Sequence, residues 1–196
     1  MPDGETDGQP SVAADGDDNV GDDETNFSFP LLTPANQTYT ISVPVENTTS
    51  ANAELVGWID FDSNGFFDTD EAATVTVADS ATSVDLVWNA IPGDIIVGSS
   101  YIRLRLTSDA SVATGDVTTS LPSGQASDGE VEDHVISIST AFDFGDAPDS
   151  YGTDSTNGGE GFGPRHVISP QLYLGAFVGD AESDGQPSAD LSLIHI

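Results

Sequence analysis

Cysteine is absent from the 196 residues, so neither disulfides nor thiolate-held metals organise the fold. Basic side chains are nearly absent as well: three against 34 acidic ones, a formal net charge of -31. A field of that sign repels nucleic-acid phosphates and anionic membrane surfaces and attracts cations, so nucleic acid is not an expected partner. No apolar run approaches the ~18 residues that a helical span needs, so no membrane insertion is expected. No secretory leader is visible either; Met1 runs straight into an Asp/Gly-rich stretch. Histidine is scarce, and the patterns HExxH, GxSxG and the phosphate-binding loop are all missing. A pair of carboxylates can hydrolyse a glycosidic bond. Here every acidic group sits in a stretch with a structural explanation, and no catalysis is expected. What remains is a chain 37% hydrophobic, enough to build a core.

The ends differ from the middle. The segment ETDGQPS at 5–11 returns as ESDGQPS at 182–188, a match that acidic composition alone does not produce. The chain is expected to be roughly one period of a tandem array cut out of phase, with neighbouring repeats as its partners and more chain on either side. Residues 1–25 read as an acidic Gly/Asp-rich end of a preceding spacer. Residues 26–140 carry short runs of β-formers: TYTISVPVEN, AELVGWID, ATVTVAD, SVDLVWN, SYIRLRLTS and EVEDHVISIS. The predicted class is all-β, an antiparallel β-sandwich of roughly seven or eight short strands with loop-rich acidic flanks. Residues 141–190 read as a loop-rich spacer that begins the next repeat. The tail 191–196, LSLIHI, reads as a translated sequencing adapter, and His195 is set aside with it.

One stretch carries specific chemistry. Counted from Asp60, the run D-F-D-S-N-G-F-F-D-T-D-E follows the twelve-residue calcium loop. Asp60, Asp62 and Asn64 supply side-chain oxygens, Phe66 its carbonyl, Asp68 a ligand directly or through water, and Glu71 a bidentate carboxylate. Gly65 permits the sharp turn, and Phe67 anchors the loop to the core. A hard divalent cation, Ca2+, offsets the mutual repulsion of such closely spaced acids. The flanks are strands, so this is the loop without the helix pair. The bland alternative is a solvated acidic turn between strands.

The run SDGEVEDHVISI, 127–138, resembles the closing strand of the GEVED domain family. The resemblance extends back through WIDFDSNGFFDTDE, 58–71, and IPGDIIVGSSYIRLRL, 91–106. His134 stands where many members carry Tyr. The segments DFGDAPDSYGT, GPRHVISPQLYLG and DAESDGQPS resemble spacers between such domains in large bacterial surface proteins. The resemblance implies a non-catalytic β-sandwich building block of secreted, adhesin-like proteins, extracellular or at the cell surface.

Other groups invite a role. Arg103 and Arg105, two apart on one strand, share a face, and so do Glu130 and Glu132. Their pairing across strands is the expected arrangement, with capture of a carboxylate ligand as the alternative. Asp180, Glu182 and Asp184, with counterparts Glu5 and Asp7 and the acids Asp15, Asp17, Asp18, Asp22 and Asp23, form a possible second metal site that stiffens a linker. Asp143, Asp146 and Asp149 form another. Asp also favours turns, which explains all of these without an ion. Three functions stay open: a calcium-stabilised spacer presenting binding domains, a module gripping a surface glycan or protein, and an accessory domain of a secreted hydrolase. Burial of Trp58 and Trp88 favours the first; exposure of either beside Tyr101 or Tyr151 favours the second.

Overall fold

The structure, a computed structural model, describes residues 11–12, 14, 29–92, 94–145, 147–152, 163–169 and 172–176. The chain divides into two compact units, Met1–Leu32 with Gln37–Ile138, and Thr33–Asn36 with Ser139–Ile196. The first unit is a β-sandwich. Its strands are β1 (Tyr39–Pro44), β2 (Ala53–Ile59), β3 (Ala72–Val77), β4 (Ser83–Trp88), β5 (Gly98–Thr107) and β6 (Glu130–Ile138). One sheet has the order β3-β2-β5-β6 and the other is the pair β1-β4; every strand pairing is antiparallel. Leu32 adds an isolated parallel bridge to Ile138. In the second unit, β7 (Phe142–Phe144) pairs with β8 (Arg165–Val167) in a region expected to be mostly loop. Among the described residues the only helical turns are single 3₁₀ turns, Thr69–Glu71 and Asp149–Tyr151. No helix there is long and apolar enough to cross a membrane.

The strands follow from period-two patterning. In β1, Tyr39, Ile41 and Val43 are buried while Thr40, Ser42 and Pro44 face water. In β5, Ser100, Ile102 and Leu104 are buried and alternate with Tyr101 and Arg103, which are not. The inner faces of both sheets contribute Ile41, Leu55, Ile59, Leu86, Trp88, Ile102, Leu104 and Ile136 to one core. Strand β2 is buried on both faces, which its sequence announces as a near-continuous apolar run. Its outer residues, Val56 and Trp58, pack with Ala113 from the β5–β6 connection and with Phe67. Trp58 and Trp88 are 1% and 2% exposed.

Two glycines hold this arrangement together for steric reasons. A Cβ on Gly57 would lie 2.6 Å from Leu86 Cδ2 and 3.1 Å from Trp88 Cζ2, so the residue makes room for the opposing sheet. Gly129, with φ +96°, precedes β6 so closely that a Cβ would stand 1.8 Å from the Leu106 carbonyl oxygen. The Gly57 contacts are side-chain ends that can shift, whereas the Gly129 contact is backbone that cannot. Gly57→Ala is therefore expected to cost about 1–3 kcal/mol by overpacking. Gly129→Ala adds backbone strain and should cost on the order of 2–4 kcal/mol. Urea unfolding of both variants measures the difference, and Gly129→Ala should be the more damaging.

Candidate metal centre

The loop between β2 and β3 gathers the acids predicted to act together. Ligand oxygens of Asp60, Asp62 and Glu71 lie within 4.8 Å of one another, so this trio can hold a metal ion. Asp60 is 6% and Glu71 3% exposed, although both are charged types. Their positions are fixed by the strands on either side. The Asp60 amide donates to the Tyr101 carbonyl at 3.1 Å, and Ser100 Oγ donates to the Asp60 carbonyl. Glu71 closes the 3₁₀ turn that leads into β3, and its carbonyl accepts the Trp88 indole N–H at 2.7 Å.

The turn itself is built from amides aimed at carboxylates. The Asn64 and Gly65 amides donate to Asp60 Oδ1 and Oδ2, each at 3.0 Å. Phe61 and Asp68 amides donate to Glu71 Oε1 and Oε2 at 2.7 and 2.9 Å. Gly65 has φ +84°, the left-handed conformation that the tight turn demands. Asn64 reaches the trio as a donor: Nδ2 bonds Asp62 Oδ2 at 3.1 Å and Asp68 Oδ2 at 3.0 Å. Its Oδ1 accepts the Phe66 amide at 2.7 Å. Asp68 thus joins through Asn64 and stands outside the trio, and the Phe66 side chain is 71% exposed. A donor set made of carboxylate oxygens suits a hard cation.

Phe67 anchors the loop, but not to the main core. It packs on the outer cluster of Val56, Trp58 and Ala113, with the Arg103 guanidinium 5.1 Å above its ring. Arg103 in turn is held by Asp133, with Nε donating to Oδ1 at 2.7 Å, and by the Pro122 carbonyl at 3.1 Å. The structure thereby corrects the expected pairing of Arg103 and Arg105 with Glu130 and Glu132. In the β5–β6 register Arg103 faces Asp133 and Arg105 faces Val131, whereas Glu132 faces Leu104 and Glu130 faces Leu106. Directly opposed residues share a face, so both glutamates turn to the opposite side from the arginines. Arg105 donates instead to the carbonyls of Leu121, Ser123 and Gly124 at 2.8, 3.0 and 2.7 Å. Glu132 bonds His134 Nε2 at 3.1 Å. Sequence reasoning missed Asp133, Ser100 and the Trp88 indole as partners. Asp133 meets Arg103 through the register between β5 and β6, which spacing along one strand does not give, and the other two are long-range contacts with no local signal.

Of the remaining candidates, Asp180, Glu182 and Asp184 lie outside the described residues, as do Glu5, Asp7 and the acids of 15–23. Asp146 lies outside them too; of the other two in that group, Asp143 is in β7 and Asp149 opens the second 3₁₀ turn.

Glu71 titrates abnormally. Burial pushes its carboxyl from 4.5 up to about 7; the charges of Asp60 and Asp62 add to the rise, against the amides of Asp68 and Phe61, which favour the anion. A raised folded pKa means that the native state binds a proton the unfolded chain has released. Stability from this group is complete below about pH 4.5 and is lost as pH rises through about 7. The whole shift corresponds to about 3 kcal/mol. Asp109 works in a separate window with opposite sign. Hydrogen bonds from Ser111 and Ser127 hold it at about 2, so it loses stability only as pH falls below its unfolded value of 3.8. In cation-free buffer, denaturation midpoints should therefore decline between about pH 4.5 and 7, and Glu71→Gln should flatten that decline.

The fold and loop can be set beside known proteins. No curated protein and no solved structure matches the chain. The GEVED domain family model matches residues 54–137, from β2 through the loop and β5 to the end of β6. That span includes the acidic trio, Arg103 and the Gly129–Asp133 run, and by it the chain carries a GEVED domain.

Proposed function

We propose that this module is a non-catalytic, calcium-stabilised structural repeat of a large extracellular bacterial adhesin-like protein, where it spaces and presents binding domains. The observation that carries the reading is the convergence of Asp60, Asp62 and Glu71 oxygens within 4.8 Å in a turn whose spacing follows a calcium loop. Calcium prefers oxygen donors and flexible coordination, and Asn64, Asp68 and the Phe66 carbonyl are the further ligands of the proposed set. Strands, not helices, flank the loop, so the ion stiffens rather than opens the module. Burial of both tryptophans argues for the spacer over a glycan-binding module, because neither indole offers a stacking face to a sugar. The neighbouring repeats are the proposed partners along the chain.

Extracellular modules bind calcium with Kd ~10⁻⁴–10⁻³ M. At free calcium about ten times Kd, one site adds roughly 1.4 kcal/mol. For a domain of ~100 residues that is a rise of several degrees in melting temperature. Calorimetric titration and thermal melts with and without millimolar calcium are the test. The double variant Asp62→Ala/Glu71→Ala should show no response. An unchanged melting temperature of the parent protein in millimolar calcium would defeat the proposal.

A further inference from the structure

We infer that Asn64–Gly65 is a self-modification site: in the cation-free loop Asn64 deamidates through a cyclic imide closed by the Gly65 nitrogen, and bound calcium suppresses the reaction. The suppression rests on the calcium reading above; the deamidation does not.

Asparagine followed by glycine is reactive because no Cβ hinders approach of the next backbone nitrogen to the side-chain carbonyl. The local geometry keeps that approach open. Both residues are exposed, and nothing lies within 4 Å of the place a Gly65 Cβ would occupy. The bond from the Phe66 amide to Asn64 Oδ1, at 2.7 Å, lays the carboxamide along the peptide that follows it. Gly65 N–H donates to Asp60 Oδ2 at 3.0 Å, which places a proton acceptor at the attacking nitrogen.

The balance is simple. The Gly65 nitrogen bonds to Asn64 Cγ and gives its proton to the Asp60 carboxylate. The Cγ–Nδ2 bond then breaks, and that proton leaves with the amine as ammonia. Water opens the imide at either carbonyl, yielding aspartate or isoaspartate at position 64. Aspartate adds a carboxylate to the ligand set. Isoaspartate lengthens the main chain by one methylene at the tightest point of the turn and misplaces the residues after it. A cation on Asp60 occupies the oxygens that would take the proton and holds the turn in one conformation. The reaction then proceeds only from the cation-free fraction.

The test uses the full chain, incubated near neutral pH with EDTA or with calcium chloride. Peptide mass spectrometry reads the +1 Da conversion at Asn64, and isoaspartate is scored by enzymatic methylation. An unstructured peptide of residues 63–67 serves as the clock. Asn64 should convert in EDTA, and calcium at about ten times Kd should slow it roughly tenfold. Retention of the amide in EDTA while the peptide converts overturns the site. Equal conversion in both buffers leaves the modification standing and overturns its suppression by calcium. If instead calcium raises the melting temperature while Asn64 never converts, the calcium reading survives and the modification falls.

Discussion

The carboxylate of Glu71 is the constraint around which the first unit closes. Its side chain is 3% exposed, yet it sits beside Asp60 and Asp62. An ionised group that deep costs several kcal/mol unless it is compensated. Two backbone amides, from Phe61 and Asp68, reach its two oxygens, and each such bond to a charged group is worth about 1.5–3 kcal/mol. They do not outweigh burial and the two neighbouring anions, since the carboxyl still binds its proton up to about pH 7. A proton on Glu71, or the cation proposed above, would offset that repulsion. The same residue ties the two sheets, because its carbonyl receives the indole N–H of Trp88 and that ring lies over Gly57. Loop, opposing sheet and central strand meet at one residue.

The GEVED signature is also readable as physics. Gly129 is required because the chain passes against the Leu106 carbonyl with no room for a side chain. Asp128 fixes the preceding turn by accepting the Thr107 hydroxyl at 2.7 Å and the Ser108 amide at 2.9 Å. Asp133 clamps Arg103. Along β6 the charged positions thus split by face: Asp133 belongs to the outer network, while Glu130 and Glu132 border a small recess with Val43, Leu55, Leu104 and Leu106. One short motif therefore serves a turn and both sides of a strand.

Much of this was legible in the sequence for a definite reason. Strand residues alternate with period two, so β1, β5 and the apolar run of β2 announce themselves locally. The acidic loop was legible because ligand order along a turn is a local property; Asp60, Asp62 and Glu71 meet as spacing predicted. The arginine partners were not, because residue spacing gives the face within a strand but not the register between strands. A one-residue change of register exchanges the faces. With Arg103 opposite Asp133, the glutamates fall on the other side. Phe67 was assigned to the core from its eighth position in the twelve-residue loop. The covering of the outer face by Ala113, from a connection far along the chain, created a second apolar cluster that no local pattern shows.

The loop and the signature strand form one mechanical path. Phe67 lies under Arg103, Arg103 is gripped by Asp133, and the Pro122 carbonyl brings the long β5–β6 connection into the same contact. This locality decides how an ion in the loop would act. The chain carries a formal charge of -31, and a divalent ion cancels only two of those charges. Repulsion between distant surface carboxylates is in any case screened beyond about 8–10 Å at physiological salt. Relief of the overall charge is thus a minor effect. Relief of the buried Asp60 and Glu71 and the half-buried Asp62, whose oxygens lie within 4.8 Å of one another, would be a larger one, because surroundings of lower dielectric amplify each interaction. Any rigidity gained there would reach β6 through Phe67, Arg103 and Asp133, so the proposed ion would brace the strand that carries the signature.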